Sequence, residues 1–140
     1  MIKESGVVMA FDYGLRNIGI AIGQKITKSA STFYAIKAKE GVPDWIKLDS
    51  IIEEWEPSLF IVGDPFNMDG TKSEFQKKIV NFSSGLKKRY GVEIQMIDER
   101  LTTKEAKYRM ERESNLLKTS ANKHSISAQI ILEDWFRSAG

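Results

Sequence analysis

Val7-Val8-Met9-Ala10-Phe11-Asp12-Tyr13-Gly14-Leu15-Arg16-Asn17-Ile18-Gly19-Ile20-Ala21-Ile22 is the stretch on which the fold turns. Val7 to Phe11 is a short, continuous apolar run that ends at Asp12. Such a run suits a strand buried on both faces, at the centre of a sheet. Tyr13 to Asn17 reads as a turn, and Ile18 to Ile22 as a second strand, so the pair forms a hairpin with a longer loop. Ser31 to Lys37 follows as a third strand, with Phe33, Ala35 and Tyr34 as its packing residues. Three strands with short links suggest an antiparallel meander.

Further along, the period changes. Asp44, preceded by Pro43, suits a helix N-cap. Trp45, Leu48, Ile51, Ile52 and Trp55 then recur at three-to-four spacing and form one apolar helix face, which Pro57 ends. Leu59 to Gly63 is another buried strand, ending at Asp64-Pro65. After the loop at 66–70, Thr71 and Glu74 have capping-box spacing, and Phe75, Ile79, Phe82 and Leu86 form the core face of a second helix. Gly91 stands where a C-terminal glycine belongs. Val92 to Ile97 alternates as a strand and leads to Asp98-Glu99-Arg100. A third helix is expected from Thr102 to about Arg112, a polar loop from Ser114 to Lys123, and a last helix from about Ser125 to Phe136. The order β-β-β-α-β-α-β-α-α predicts an α/β protein: a mixed five-stranded sheet with helices on both faces. No repeat, linker or low-complexity tract interrupts it, so residues 1–140 read as one domain.

Composition narrows the chemistry. The 140 residues include no cysteine, which excludes disulfides and thiolate zinc sites. His124 is the only histidine, so any metal must rest mainly on carboxylate oxygens, favouring Mg2+ or Mn2+. No apolar run approaches the ~18 residues of a membrane span, and Met1 to Ser5 lacks a signal-peptide core. The expectation is a cytoplasmic protein with no membrane partner. Net charge is only +2, but Glu40 to Glu56 carries −5 and Arg100 to His124 carries +4. A polyanion would meet the second segment first, although an unbalanced solvated helix gives the same count.

Asp12, Asp64 and Glu99, with Asp98 beside it, all stand at strand ends. The carboxyl ends of parallel strands form the ligand crevice of such sheets. Carboxylates gathered there repel one another unless a cation joins them. Paired divalent ions so held activate water and stabilise a leaving oxygen in phosphodiester hydrolysis. The plainer alternative is that strand-end acids cap helices or solvate turns. Asp12-Tyr13-Gly14 also fits the phosphate loop of an actin-like ATPase, but 140 residues cannot supply the two domains that enzyme needs.

Four motifs carry a resemblance over nearly the whole chain: 10–23 (Ala10-Phe11-Asp12-Tyr13-Gly14 through Gly23), 62–71 (Val62-Gly63-Asp64-Pro65 through Thr71), 98–106 (Asp98-Glu99-Arg100-Leu101-Thr102 through Ala106) and 125–133 (Ser125-Ile126-Ser127-Ala128 through Glu133). In these the chain resembles the YqgF (RuvX) family of pre-16S rRNA nucleases, once called Holliday junction resolvases. The resemblance implies an RNase H-like fold, which the element order matches. It also implies a nuclease using Mg2+ or Mn2+ and a role in maturing the 5′ end of small-subunit rRNA. Carried over, Asp12 is the strand-one catalytic carboxylate and Glu99 the second acid. The third acid of the family opens the last helix, and His124 stands in its place. Asp64 departs too, where the family commonly has an apolar residue. His124 has several readings: a metal ligand, a general base near neutral pH, a mark of lost catalysis, or a plain surface residue. Asp64 either adds a compensating carboxylate to the metal site or caps the turn beside Pro65.

For nucleic acid, Arg16 and Arg100 flank the proposed centre and suit a phosphate, Arg100 alternatively pairing with Asp98. Asn67, Thr102 and Thr103 can hydrogen-bond phosphates, unless the threonines only cap a helix. Lys104, Lys107, Arg109 and Arg112 extend that positive face, while Lys77, Lys78, Lys87, Lys88 and Arg89 read as the solvated side of the second helix. Trp45 and Trp55 fit a core stripe better than a stacking platform. The expected partner is pre-16S rRNA or branched DNA, and the protein a monomer or homodimer. Three functions compete: an endonuclease on structured RNA, a junction-DNA resolvase, which needs a symmetric dimer, and a catalytically weak RNA-binding assembly factor, which the missing helix carboxylate favours.

Overall fold

The computed structural model describes residues 6–64, 74–98, 112 and 120–139. Its elements are β1 (Val7–Asp12), β2 (Asn17–Gln24), β3 (Ser29–Lys39), β4 (Val42–Pro43), α1 (Trp45–Trp55), β5 (Leu59–Asp64), α2 (Glu74–Tyr90), β6 (Glu93–Asp98) and α3 (Ser120–Ala139). The strands form one mixed sheet in the order β4-β3-β2-β1-β5-β6. The meander β1-β2-β3 is antiparallel, whereas β5 lies parallel to β1 and β6 parallel to β5.

The sheet has six strands, not the expected five. The extra one is β4, whose Val42 and Pro43 pair with Lys39 and Ala38. Glu40 and Gly41 take positive φ (51° and 87°), so the chain reverses at once and two residues fall back beside β3. A two-residue strand containing proline has no alternation to reveal it.

β1 is central and buried on both faces. Val7, Met9 and Phe11 pack with α1 and α2, while Val8 and Ala10 pack under α3. β2 divides the same way, by residue size. Ile18, Ile20 and Ile22 join the α1/α2 core, and Ala21 joins the α3 core. Gly19 and Gly23 flank Ala21 on that second face. A Cβ on Gly19 would run into the backbone carbonyl of His124, and one on Gly23 would lie 2.8 Å from Phe136 Cε2 and 2.9 Å from Leu132 Cδ2. The Ile-Gly-Ile-Ala-Ile-Gly repeat therefore presents a bulky face to one layer and a flat bed to α3. Each fully buried Ile or Phe adds roughly 1.5–3 kcal/mol of transfer free energy.

The helix ends follow their sequence signals. Asp44 caps α1 by accepting from Lys47 N–H at 3.1 Å. Glu56 turns left-handed before Pro57. Gly91 ends α2 at φ 66°, its N–H donating to Lys87 O. Trp45 and Trp55 pack against the α1/α2 core, as their spacing predicts. α3 begins at Ser120, earlier than expected, so 120–123 is helix rather than loop. Its first turn is polar, and apolar periodicity gives no warning before Ile126. Thr71 and most of the expected third helix lie outside the described residues, as do the side chains of Phe33 and Tyr34. Arg112 alone in that helix is described, and it is helical. Among the described residues no helix is long and apolar enough to cross a membrane.

Candidate active site

Asp12 is the last residue of β1, and its Cα partners Gly19 of β2. Phe11 faces α1 and α2, so the two-residue alternation turns Asp12 toward α3. There its Oδ2 lies 2.9 Å from Nδ1 of His124, in the second turn of α3. The two residues are 112 positions apart in the chain. An ionised carboxylate only accepts hydrogen bonds, so Nδ1–H donates and the ring of a neutral histidine keeps its lone pair on Nε2. Among the described residues neither Asp12 Oδ1 nor His124 Nε2 has another partner. Asp12 and His124 keep 18% and 32% of their side-chain surface open, enough for solvent to reach both.

Small residues make this approach possible. Gly19 admits the His124 backbone, and a Cβ on Gly14 would lie 3.2 Å from His124 Cε1 and 2.5 Å from Asn17 O. The turn after Asp12 is held from the far side. Buried Tyr13 donates from its hydroxyl to Gly41 O at 2.7 Å, and burial raises the pKa of that phenol. Gly41 N–H donates to Leu15 O (2.9 Å) and Ala38 N–H to Arg16 O (2.8 Å). The β3–β4 reversal thus anchors the loop that carries the site.

β1, β5 and β6 run parallel, so Asp12, Asp64 and Asp98 reach the same edge of the sheet, with Asp64 and Asp98 in register. Asp64 shares the alternation of Phe60 and Val62, which pack with α1 and α2, so it falls on the face opposite Asp12. Arg16 is exposed in the turn beside Asp12. Glu99, Asn67, Arg100, Thr102, Thr103 and Lys104 lie outside the described residues. No three metal-ligating side chains come together among the described residues; Asp12 and His124 supply two. A groove of about 820 Å³ lined by Pro57, Ser58, Tyr90 and Gly91 lies at the opposite ends of β5 and β6, away from these groups.

The family model described as "RuvX: Holliday junction resolvase" matches residues 6–138. The chain belongs to the RuvX family. Its relatives include proteins named "Putative pre-16S rRNA nuclease" from Aeromonas hydrophila, 43% identical over 94% of this chain and 95% of that one, and from Pectobacterium carotovorum, 42% identical over 95% and 96%. Among solved structures, this RuvX chain resembles Thermus thermophilus RuvC in complex with a Holliday junction substrate. That match has a TM-score of 0.58 at 15% identity and covers 95% of this chain and 94% of that one. The fowlpox virus Holliday junction resolvase matches with a TM-score of 0.58 at 13% identity, covering 94% and 99%. At such identities the structural likeness establishes the RNase H-like fold expected from the motifs.

Proposed function

We propose that this RuvX protein is a metal-dependent endonuclease that hydrolyses phosphodiester bonds at the 5′ end of precursor 16S rRNA, in the cytoplasm, as a single 140-residue domain. The observation that carries the reading is the Asp12–His124 pair, partly open to solvent at the carboxyl edge of the central parallel strands. The names of its relatives supply the substrate.

The donor set suits a hard or borderline divalent cation. Asp12 would offer a carboxylate oxygen and His124 a ring nitrogen, and an ion shared by the two would replace the Oδ2–Nδ1 hydrogen bond between them. Glu99 follows β6 by one residue, two positions beyond Ile97, which packs against the α3 layer. We assign it as the third ligand. Mg2+ and Mn2+ both accept carboxylate, and Mn2+ also accepts imidazole readily. When bound, such an ion supplies the charge that activates water and stabilises the leaving oxygen. Asp64, on the other face, is assigned a lesser role at the rim. Arg16, Asn67, Arg100, Thr102, Thr103 and Lys104 are assigned to the phosphates on either side of the scissile bond.

The test is cleavage of a labelled rRNA precursor with Mn2+ or Mg2+ by wild type and by Asp12→Asn. Metal-dependent cutting that the variant lacks supports the nuclease. Binding without cutting, with four-way DNA also left intact, rejects it for an assembly factor. The family description favours a second substrate, four-way DNA; symmetric incision of such a junction by a two-fold dimer decides for that reading.

A further inference from the structure

The sheet face that carries Asp12 and meets His124 also carries two lysines that the proposed chemistry does not use. Ile36 and Ala38 of β3 pack with the α1/α2 core, so Lys37 and Lys39 turn to the α3 face, where both are exposed. Lys37 partners Asn17, and Ala35 partners Gly19, the same Gly19 that partners Asp12. Lys37 therefore stands two strands over and two residues up from Asp12. At ~4.8 Å per strand and ~3.3 Å per residue, that separates their Cα atoms by roughly 12 Å. Arg16 stands at the same edge of the sheet, its carbonyl accepting from Ala38 N–H. None of Arg16, Lys37 and Lys39 has an acidic partner among the described residues. The acids that follow next in sequence are otherwise placed: Asp44 caps α1, and Glu40 lies past the end of β3 at positive φ.

Two unpaired lysines on one face, spaced along a strand that leads toward a site for phosphodiester chemistry, match a polyanion whose charges repeat along a line. We infer that Lys37 and Lys39 form a track for the sugar–phosphate backbone, leading the nucleic acid across β2 and β3 into Asp12 and His124. The inference rests on the nuclease reading for its ligand. It assigns the β3 side of the sheet to phosphates flanking the cut, and it places them away from the Lys87/Lys88 cluster at the far end of α2.

The experiment measures binding in EDTA, so that nothing is cut, over a salt series. One probe is an RNA spanning the 5′ end of 16S rRNA, and the other is a four-way DNA junction. Each phosphate contact contributes about 0.7 (single strand) to 0.9 (duplex) to the slope of log K against log salt. Lys37→Ala/Lys39→Ala is expected to lower that slope by about 1.5 and weaken binding about tenfold at ~0.1 M salt. In cleavage with Mn2+ it raises KM and leaves kcat within about twofold. Lys87→Ala/Lys88→Ala behaves as wild type. The probe that shows the larger Lys37/Lys39 effect is the source of the backbone. A wild-type slope and KM in Lys37→Ala/Lys39→Ala, or an equal loss in Lys87→Ala/Lys88→Ala, overturns the track while leaving the nuclease intact. Lysine-dependent binding by a wild-type protein that cuts neither probe overturns the nuclease and keeps the track. A wild-type protein that binds neither probe overturns both.

Discussion

Asp12 and His124 act as a pair, so their substitutions report on different halves of the same contact. Asp12→Asn keeps the shape but loses the ionic acceptor, and cleavage is expected to fall at least about a hundredfold with little change in melting temperature. His124→Ala removes an imidazole and frees the carboxylate, a change that typically costs 10–100-fold in metal affinity, or roughly 1.4–2.8 kcal/mol. Isothermal titration with Mn2+ reads this directly. His124→Asp exchanges a nitrogen donor for oxygen and is expected to improve Mg2+ binding relative to Mn2+. An unchanged Mg2+/Mn2+ ratio in that variant removes His124 from the ligand set. Asp64→Ala, on the opposite face, is expected to cost less than about tenfold in activity, against the much larger loss in Asp12→Asn.

Between elements, α3 approaches β2 backbone to backbone at Gly19. Gly19→Ala drives a methyl into the His124 carbonyl, and two backbones cannot part without moving the helix. We expect a loss of about 1–3 kcal/mol and a fall of about 3–10 °C in melting temperature, with Asp12–His124 geometry and activity lost together. On the other side of the sheet, α1 and α2 are tied by Asp49, which accepts from Arg89 Nε and Nη2 and from the Tyr90 hydroxyl, all at 2.7 Å. Arg89 also lies over the Trp45 ring, 5.2 Å from its centroid. Hydrogen bonds from Arg89 and then Tyr90 lower the Asp49 pKa from 3.8 to about 2. The unfolded chain thus binds the proton first, and this tie's contribution is complete above about pH 4 and lost as pH falls toward 2. Thermal melts of wild type and Asp49→Asn should converge across that window and differ above it, less so at high salt because the pair is exposed.

As a whole, the molecule is one sheet with two cores that share β1, β2 and β5. Neither core is complete without those strands, so fluorescence and far-ultraviolet melts are expected to coincide in one transition. An ion that binds only the folded site stabilises it by mass action, about 2.7 kcal/mol at a hundred times its dissociation constant. Mn2+ should therefore raise the melting temperature of wild type but not of Asp12→Asn. Equal shifts in both proteins would place the ion elsewhere.

Much of this was legible in one dimension. The Val7–Phe11 run marks a doubly buried strand because such a strand has no polar face to show. Asp44, Pro57 and Gly91 mark helix ends because the unpaired backbone groups there need particular side chains or dihedrals. Asp12 stood out because an acid closes a fully apolar strand. The Ile-Gly-Ile-Ala-Ile-Gly bed for α3 was also present as a pattern, though an apolar run conceals the size alternation within it. β4, the early start of α3 and the Tyr13–Gly41 anchor left no local trace. They depend on where a reversed chain falls and on contacts between residues far apart in sequence. The sequence by itself determined β1, β2, β3, β5 and β6, the helices α1 and α2, and the strand-end acid. Only the tertiary structure decided that His124 meets Asp12 and that Lys37 and Lys39 share their face, because strand register and helix docking are set by packing between distant segments.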